Sequence, residues 1–250
     1  MVLQSTFIFL LGLIFGSFIA AFTWRYPKGI SIAKGRSFCP RCKHQIVWFD
    51  NIPLFSFLFL RGKCRHCKKT ISWRYPIIEL VTALGFVAIG YYFATAFQGF
   101  SLQGVYSIII FCILEAIFII DLEHQIIPDS FVFIGILFAL FIIQYSIFSF
   151  LFAGFFAASL LLLIHLITNG RGMGLGDVKF AVLGGLIVGP RLFLIWLFLA
   201  FLTGAAVGII LILGKKAGLK SQIAFGPFLV LAIPLALIYG EKILSWIHIS

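Results

Sequence analysis

The sequence predicts an all-α fold, a polytopic membrane bundle of about eight transmembrane helices with a small cytoplasmic, zinc-ribbon-like insert. Of its 250 residues, 62% are hydrophobic and 11% are charged, and the mean hydropathy is +1.14. Soluble domains have roughly 45–50% apolar and about 25% charged residues. Apolar stretches near the ~20 residues that cross a bilayer recur along the chain. The net charge of +11 is concentrated in one segment, which also holds four cysteines.

Eight apolar stretches are interpreted as membrane spans. Backbone polar groups in lipid must bond to one another, so helices rather than strands are expected. The first stretch has no Lys or Arg before Trp24, which favours a retained helix over a cleaved signal peptide. The sixth is short, and a dip or kink is expected at Gly184-Gly185. The stretches are 3–24, 76–97, 104–120, 130–148, 151–168, 178–189, 192–213 and 223–239.

The distribution of charge predicts the orientation in the membrane. Between Arg25 and Arg74 there are twelve Lys and Arg residues and one acidic residue, Asp50. By the positive-inside rule this insert is cytoplasmic. Eight spans threaded from there leave only Arg191 and Lys242 outside, together with both termini. The other basic residues expected inside are Arg171, Lys179, Lys215, Lys216 and Lys220.

The basic insert adjoins two apolar spans, which bears on its expected partners. Contact with anionic lipid headgroups explains such a segment better than nucleic-acid binding does. We therefore expect membrane lipids and no nucleic acid as partners. The predicted division of the chain is 1–24 as the first transmembrane helix, 25–75 as the insert, and 76–250 as a transmembrane core.

Two aspartates mark the ends of apolar stretches on the same predicted side of the membrane. Asp121 ends the third stretch, and Asp177 precedes the sixth within Gly174-Leu175-Gly176-Asp177. Carboxylates at a membrane boundary are costly and usually functional. Two that meet can share a proton and act as acid and base on one water. This pattern indicates a membrane-embedded aspartyl protease, in which Gly174 and Gly176 let the backbone approach a peptide.

Structural roles for the acidic residues remain open alternatives. Asp177 caps the sixth helix in one of them, and Asp121 pairs with a lysine in another. Asp129, directly after Pro128, is interpreted as a helix cap and nothing more.

Four cysteines in the insert form two CxxC pairs separated by 21 residues, Cys39-Pro40-Arg41-Cys42 and Cys64-Arg65-His66-Cys67. This spacing predicts one structural Zn²⁺ per chain with four thiolate ligands. Basic neighbours favour the thiolate form. Two disulfides are the alternative, which a reducing cytoplasm disfavours. Substitution of a ligand by His44 or His66 also stays open.

Several longer motifs carry a family resemblance over nearly the full length of the chain. They are Gly16-Ser17-Phe18, Arg25-Tyr26-Pro27, the insert from Cys39 through Trp48-Phe49-Asp50-Asn51-Ile52-Pro53 to Glu79-Leu80, Asp121-Leu122-Glu123-His124, Gly172-Met173-Gly174-Leu175-Gly176-Asp177-Val178-Lys179, and Phe225-Gly226-Pro227-Phe228. With these motifs the chain resembles the bacterial type IV prepilin peptidases, the bifunctional leader peptidase/N-methyltransferases of pilus and type II secretion systems. One departure is Ala20-Ala21, where the family commonly has Asn-Val.

The resemblance implies a specific peptidase site and substrate. Asp121 and Asp177 fall on the two catalytic aspartates, with Gly174, Gly176 and Lys179 supporting the substrate loop. The implied substrate is a prepilin or pseudopilin whose basic leader stays in the cytoplasm. Cleavage follows a glycine, usually before phenylalanine. The resemblance also implies an inner-membrane location and pilus or type II secretion machinery as partner.

The resemblance further implies that the freed α-amine is methylated from S-adenosylmethionine, with the zinc insert associated with this step. Asp50, Arg61 and Glu79 are the methyl-transfer candidates because they flank the insert. For Glu79 a structural pair with Arg74 or Arg25 is the alternative. Two other classes also stay open: a presenilin-like intramembrane aspartyl protease without methyltransferase activity, and a non-enzymatic scaffold of a secretion or pilus machine.

Overall fold

A computed structural model describes residues 2–31, 35–97, 102–143, 146–216, 218 and 223–247. Lys220, which the sequence predicts on the cytoplasmic side, lies outside the described residues. Within them the regular structure is helical, and pairing between extended segments is limited to two isolated bridges. Contacts divide the chain into two compact units, Met1–Cys112 and Ile113–Ser250, and each is described by itself.

The first unit is built on two long helices, α1 (Val2–Arg25) and α3 (Arg74–Phe97), which pack along each other. Two glycines of α1 permit the close approach. A Cβ on Gly12 would lie 2.5 Å from Ala83 Cα, and one on Gly16 would lie 2.7 Å from Glu79 Cα. Small residues at such contacts let helix backbones approach in a membrane. The level of Gly16 on α1 is therefore the level of Glu79 on α3.

The insert between α1 and α3 contains two 3₁₀ turns, Tyr26–Lys28 and Trp48–Asn51, and the short helix α2 (Phe55–Phe59). Each isolated bridge closes one CxxC turn. Phe38 pairs with Gln45 around the first turn, and Lys63 pairs with Thr70 around the second. The insert is thus two similar knuckles joined by a segment that contains α2.

The second unit holds the end of α4 (Leu102–His124) and five further helices. These are α5 (Asp129–Ile142), α6 (Ile147–Ile167), α7 (Leu175–Val188), α8 (Phe193–Leu213) and α9 (Gly226–Trp246). Helix α7 is central, because it packs against α5, α6 and α9 and buries eight of its residues. The indole N–H of Trp196 on α8 donates to the Leu229 carbonyl on α9 at 2.8 Å.

The predicted helical membrane bundle is confirmed, with helices at all eight predicted stretches. Six of them are long and apolar enough to cross a membrane, whereas α5 and α7 have 14 residues each. Fourteen residues reach about 21 Å, short of a hydrocarbon core about 30 Å thick. The span count of eight therefore stays a prediction.

Two local expectations differ from the structure. Helix α7 continues through Gly184 and Gly185 without a break, and Gly185 serves as a contact point, since a Cβ there would lie 2.5 Å from Gly154 Cα. The predicted stretch 130–148 ends as α5 at Ile142, and its last two residues belong to α6. Residues 144–145 of that stretch lie outside the described residues.

Candidate functional site

Asp121 lies in the last turn of α4 and is only 4% exposed. Gly226, at the start of α9, leaves room for its carboxylate: a Cβ there would lie 2.5 Å from Asp121 Oδ2. This Oδ2 is buried and has no hydrogen-bond partner in the described part of the chain. The alternative of a lysine pair for Asp121 finds no support, because no described basic side chain is within ion-pair distance. A buried carboxylate oxygen without a partner is rare and calls for a functional explanation.

Asp177 is the third residue of α7 and is 8% exposed. Its Oδ2 accepts a hydrogen bond of 3.1 Å from the backbone N–H of Gly174, the residue that precedes the helix. The capping alternative is thus realised, since Asp177 closes the first turn of its own helix. Capping holds the carboxylate in one orientation and places it at the positive end of the helix dipole.

The two aspartates, 56 positions apart in sequence, meet at one place in the second unit. Ile127 marks it, because its side chain is the nearest neighbour of Gly176, at 3.1 Å from a Cβ built there. The same side chain would lie 3.0 Å from a Cβ on Gly226. Gly226 adjoins the Asp121 carboxylate and Gly176 directly precedes Asp177, so both aspartates lie near Ile127. The structure therefore brings together the two side chains that the sequence analysis singles out.

The glycine-rich loop before α7 is held by residues that the sequence analysis missed. His165 Nδ1 lies 2.7 Å from the Met173 carbonyl, and Thr168 Oγ1 accepts a 3.0 Å hydrogen bond from the Gly172 N–H. Gly170 has φ +75°, a conformation that favours glycine. The available signal was two polar residues at the end of an otherwise apolar helix. They hold the loop that presents Gly174 and Asp177.

Lys179 and Asp129 form an exposed ion pair of 2.7 Å between α7 and α5. The interpretation of Asp129 as a helix cap is wrong, because Pro128 occupies the cap position and Asp129 is the first residue of α5. The pair instead ties the start of α7 to the start of α5. Support of the substrate loop by Lys179 stays a prediction.

The four cysteines of the insert converge as their spacing predicts. The Sγ atoms of Cys39, Cys42, Cys64 and Cys67 all lie within 4.8 Å of one another, and all four cysteines are free. Cys39 and Cys67 Sγ are 3.9 Å apart. A tetrahedron with Zn–S bonds of ~2.3 Å has sulfur atoms about 3.8 Å apart. The cluster therefore fits a zinc-ribbon-like insert.

The two knuckles share one backbone design. In each, the residue after the second cysteine has positive φ, 60° at Lys43 and 59° at Lys68. Its N–H donates to the carbonyl of the first cysteine, at 2.8 Å to Cys39 and 3.0 Å to Cys64. Burial acts to raise the pKa of the Cys39 thiol, but backbone hydrogen bonds from Cys42 and Arg41 lower it to about 7. Amide donors thus favour the thiolate that binds a metal.

The histidines of the knuckles do not join the sulfur cluster. The rings of His44 and His66 stack on each other, with centroids 4.3 Å apart and planes inclined by 15°. Among the described residues, the group with metal-binding geometry consists of the four cysteines. Substitution of a cysteine ligand by either histidine is therefore not supported.

A cavity of about 560 Å³ lies between the insert and the α1–α3 pair in the first unit. Its lining includes Glu79 and Asp50, together with the aromatic residues Trp24 and Tyr75. Arg61, the third methyl-transfer candidate, is exposed and does not line it. Asp50 is paired with Arg65 through two hydrogen bonds of 2.6 and 2.8 Å.

Glu79 is buried and binds the insert rather than an arginine. Its Oε2 accepts a 2.8 Å hydrogen bond from the Leu54 N–H, and Ser17 also lies against the carboxylate. No arginine is within ion-pair distance of Glu79 among the described residues, so the alternative of a pair with Arg74 or Arg25 is wrong. The nearby arginines bind backbone instead: Arg74 donates to the Ala20 carbonyl at 2.7 Å, and Arg25 donates to the Arg36 carbonyl at 3.2 Å.

Two family models match successive parts of the chain. Residues 10–93 match the model described as Bacterial Peptidase A24 N-terminal domain, and residues 108–209 match the Type IV leader peptidase family. No solved structure matches the chain significantly.

Relatives named prepilin leader peptidase/N-methyltransferase match most of the chain. One from Pseudomonas aeruginosa is 33% identical over 94% of this chain and 90% of its own length. Another, from Bacillus subtilis, is 33% identical over 96% of both chains. A third, from Aeromonas hydrophila, is 36% identical over 84% of this chain and 74% of its own. The expected resemblance is confirmed, and this multi-pass membrane protein belongs to the type IV leader peptidase family.

Proposed function

We propose that this enzyme cleaves the leader from prepilins or pseudopilins at the cytoplasmic face of the cell inner membrane. It then methylates the new N-terminus with S-adenosylmethionine, and its products serve a pilus or type II secretion machine. The observation that carries the peptidase proposal is the convergence of Asp121 and Asp177, with a buried Asp121 oxygen that lacks a partner. The names of the relatives support both activities.

In the proposed cleavage the two carboxylates share one proton and hold a water between them. The positive end of α7 favours negative charge at Asp177, so Asp177 takes a proton from the water. The oxygen of that water adds to the scissile carbonyl carbon, while protonated Asp121 donates to the carbonyl oxygen. Asp177 then gives its proton to the amide nitrogen, Asp121 takes one back from a hydroxyl of the tetrahedral intermediate, and the C–N bond breaks. Gly226 leaves room for the Asp121 carboxylate, and Gly176 packs against Ile127 beside Asp177.

The charge distribution supports the orientation in this proposal. With the basic insert in the cytoplasm, the short basic leader of a substrate stays on the same side as Asp121 and Asp177. The substrate's apolar helix then lies in the bilayer beside the peptidase. Anionic lipid headgroups are the expected neighbours of the insert, and nucleic acid is not an expected partner.

We assign a structural Zn²⁺ to Cys39, Cys42, Cys64 and Cys67, which supply four thiolates at tetrahedral distances. The ion cross-links two knuckles that have little apolar core of their own. Residues 25–75 then form the methyl-transfer insert, with 1–24 as the first span and 76–250 as the peptidase core. The contacts of Glu79 add α1 and α3 to the methyl-transfer site.

The cavity beside the insert fits the methyl donor in size and chemistry. A volume of about 560 Å³ lies within the usual range of small-molecule sites, roughly 300–1,000 Å³. The cavity lining includes the aromatic residues Trp24 and Tyr75 and the buried Glu79. Aromatic faces and a buried carboxylate suit a sulfonium cation. The donor supplies an electrophilic methyl group, while Glu79 and Asp50 orient the unprotonated amine.

One assay tests the whole proposal. The purified chain in lipid nanodiscs is incubated with a prepilin, with and without S-adenosylmethionine, and the products are weighed by mass spectrometry. We expect loss of the leader in both reactions and a gain of about 14 Da in the second, because methylation adds one CH₂ unit to the amine. Cleavage without methylation favours the presenilin-like alternative, and no product favours the scaffold.

The Glu79→Gln substitution is expected to separate the two activities. Glutamine keeps an oxygen that accepts from the Leu54 N–H but removes the negative charge from the cavity. Leader cleavage should remain near the wild-type rate while the mature pilin accumulates unmethylated, about 14 Da lighter per missing methyl. Glu241→Gln, on the exposed Arg191–Glu241 pair, serves as the matched control. Full methylation by Glu79→Gln, or a parallel fall in cleavage, would contradict this separation.

A further inference from the structure

The hydrophilic insert carries an apolar surface that its charge does not explain. Nine successive residues, 52–60, contain no charged side chain, and they include α2. Phe59 is 89% exposed, and Phe55 and Leu58 on the same short helix are also exposed. Exposed apolar patches of this kind mark contact surfaces.

The segment reaches past the insert-side ends of the helices α1 and α3. The hydrogen bond from Leu54 to Glu79 fixes the position of the segment along the axis of α3. Glu79 is five residues inside the candidate span that begins at Arg74. Five residues of helix correspond to about 7 Å. On α1 the same level is Gly16, nine residues before the helix ends, or roughly 13 Å. The insert therefore reaches along the α1–α3 pair to a depth where interfacial helices bury their apolar faces.

Backbone N–H groups of this segment are hydrogen-bonded within the protein, as a medium without water requires. Leu54 donates to Glu79, and the N–H groups of Phe55, Ser56, Leu58 and Leu60 donate to carbonyls within the segment at 2.6–3.0 Å. The Ser56 hydroxyl also bonds internally, at 2.7 Å to the Ile52 carbonyl. Internal satisfaction of backbone groups is what a lipid environment demands.

Leu54 adopts a strained turn that depends on Glu79. Its φ of 58° and ψ of −50°, with Phe55 N–H 2.6 Å from the Pro53 carbonyl, describe a classic γ-turn, which is rare for a non-glycine residue. Such strain persists where the surroundings over-determine the conformation. The Glu79 carboxylate is that constraint, since it accepts the N–H that the turn directs toward α3.

We propose that residues 52–60 form an interfacial anchor, whose outer face of Phe55, Leu58 and Phe59 contacts the lipid of the cytoplasmic leaflet. The anchor continues the apolar surface of α3, where Ile77 and Leu80 are exposed at the same level. Basic residues follow directly, with Arg61 and Lys63 placed for anionic headgroups.

The inner face of the anchor has a separate task. Ser56, Phe57 and Leu60 line the 560 Å³ cavity, and the Phe57 ring packs 4.9 Å from that of Trp73. The segment is therefore a wall with lipid on one side and the cavity on the other. Lipid contact on the outer face holds this wall in place, so the bilayer itself completes the cavity.

Photo-crosslinking tests the outer face directly. The full chain carries p-benzoyl-phenylalanine at position 59, where an exposed ring permits the exchange without a change of packing. It is reconstituted in nanodiscs of phosphatidylethanolamine and phosphatidylglycerol, irradiated with and without a prepilin, and weighed intact. Matched variants carry the same group at Leu84, exposed within the span of α3, and at Lys69, exposed in the second knuckle.

We expect lipid adducts at position 59 at a yield near that of position 84, and about tenfold above that of position 69. A yield at the level of position 69 would show that the segment faces water, and the anchor would be wrong. Crosslinks to the prepilin or to a second copy of the chain in place of lipid would equally overturn it, by assigning the surface to a protein partner. Activity is not part of this readout, so its outcome is independent of the proposed function.

Discussion

Replacement of Asp121 or Asp177 by asparagine is expected to abolish leader cleavage, with a loss of at least about a thousandfold for each. Asparagine has nearly the same shape, and at position 177 its side-chain oxygen still accepts from the Gly174 N–H. It can neither take up nor release the shared proton, however, so the remaining aspartate lacks its acid–base partner. The double variant should be no worse than either single one because the pair acts as a unit. Cleaved prepilin is quantified at equal membrane abundance.

The Asp129→Asn variant is the matched control for this prediction. Asp129 is exposed and pairs with Lys179, and exposed pairs contribute only about 0–1 kcal/mol. Cleavage by this variant should stay near wild type. Near-full cleavage by Asp121→Asn or Asp177→Asn would remove the catalytic pair from the proposal.

The Gly226→Ala substitution extends the same prediction to the space around Asp121. A methyl group there would lie 2.5 Å from Asp121 Oδ2, so the carboxylate must move. Cleavage should fall at least about tenfold, since small misplacements of a reacting group cost that much or more. Gly208→Ala, on α8, is the control, because the nearest atom to a Cβ at this position is 3.9 Å away. Equal cleavage by the two variants would show that Gly226 does not shape the site.

Loss of the four-sulfur site is the second large expected effect. The purified protein should contain about one zinc per chain, and the double substitution Cys39→Ser/Cys67→Ser should reduce this to near zero. Each knuckle then loses one of its two ligands, and the remaining pair cannot complete a tetrahedron. Zinc is measured by plasma mass spectrometry on protein prepared without added metal. Methylation should be lost with the metal, because the insert forms much of the cavity wall.

Cys112→Ser is the control for the metal measurement, since Cys112 lies on α4 outside the sulfur cluster. It should retain the wild-type zinc content. Oxidised cysteines without metal, in protein prepared anaerobically from the wild-type chain, would favour the disulfide alternative over zinc.

Much of the architecture was predictable because it depends on composition and local spacing. Apolar stretches identify helices in a medium that offers the backbone no partner, and eight such stretches correspond to eight helices. The two CxxC pairs likewise predict a four-sulfur cluster, because each pair forms its own turn and only one closure is then needed. The lengths of α5 and α7 were not predictable to this degree, since helix ends depend on caps and neighbours.

The acid and base candidates could be named from the sequence, but their surroundings could not. Asp121 ends an apolar stretch and Asp177 precedes one within Gly174-Leu175-Gly176-Asp177, whereas Asp129 precedes its stretch directly after Pro128. Asp177 also caps α7, and Gly226 makes room for Asp121. These contacts depend on how the chain folds around each aspartate. Periodicity and spacing carry no information on such contacts.

Glu79 shows the same limit most clearly. A carboxylate one turn inside a span predicts a partner or a role, and an arginine was the natural partner by charge. In the tertiary structure the partner of Glu79 is the Leu54 N–H instead, because a γ-turn in the insert directs that group toward α3. Charge and hydrophobicity are properties of single residues and can be read along a chain. Which donor reaches a buried acceptor depends on how separate segments fold back on each other, and only the packed structure contains that information.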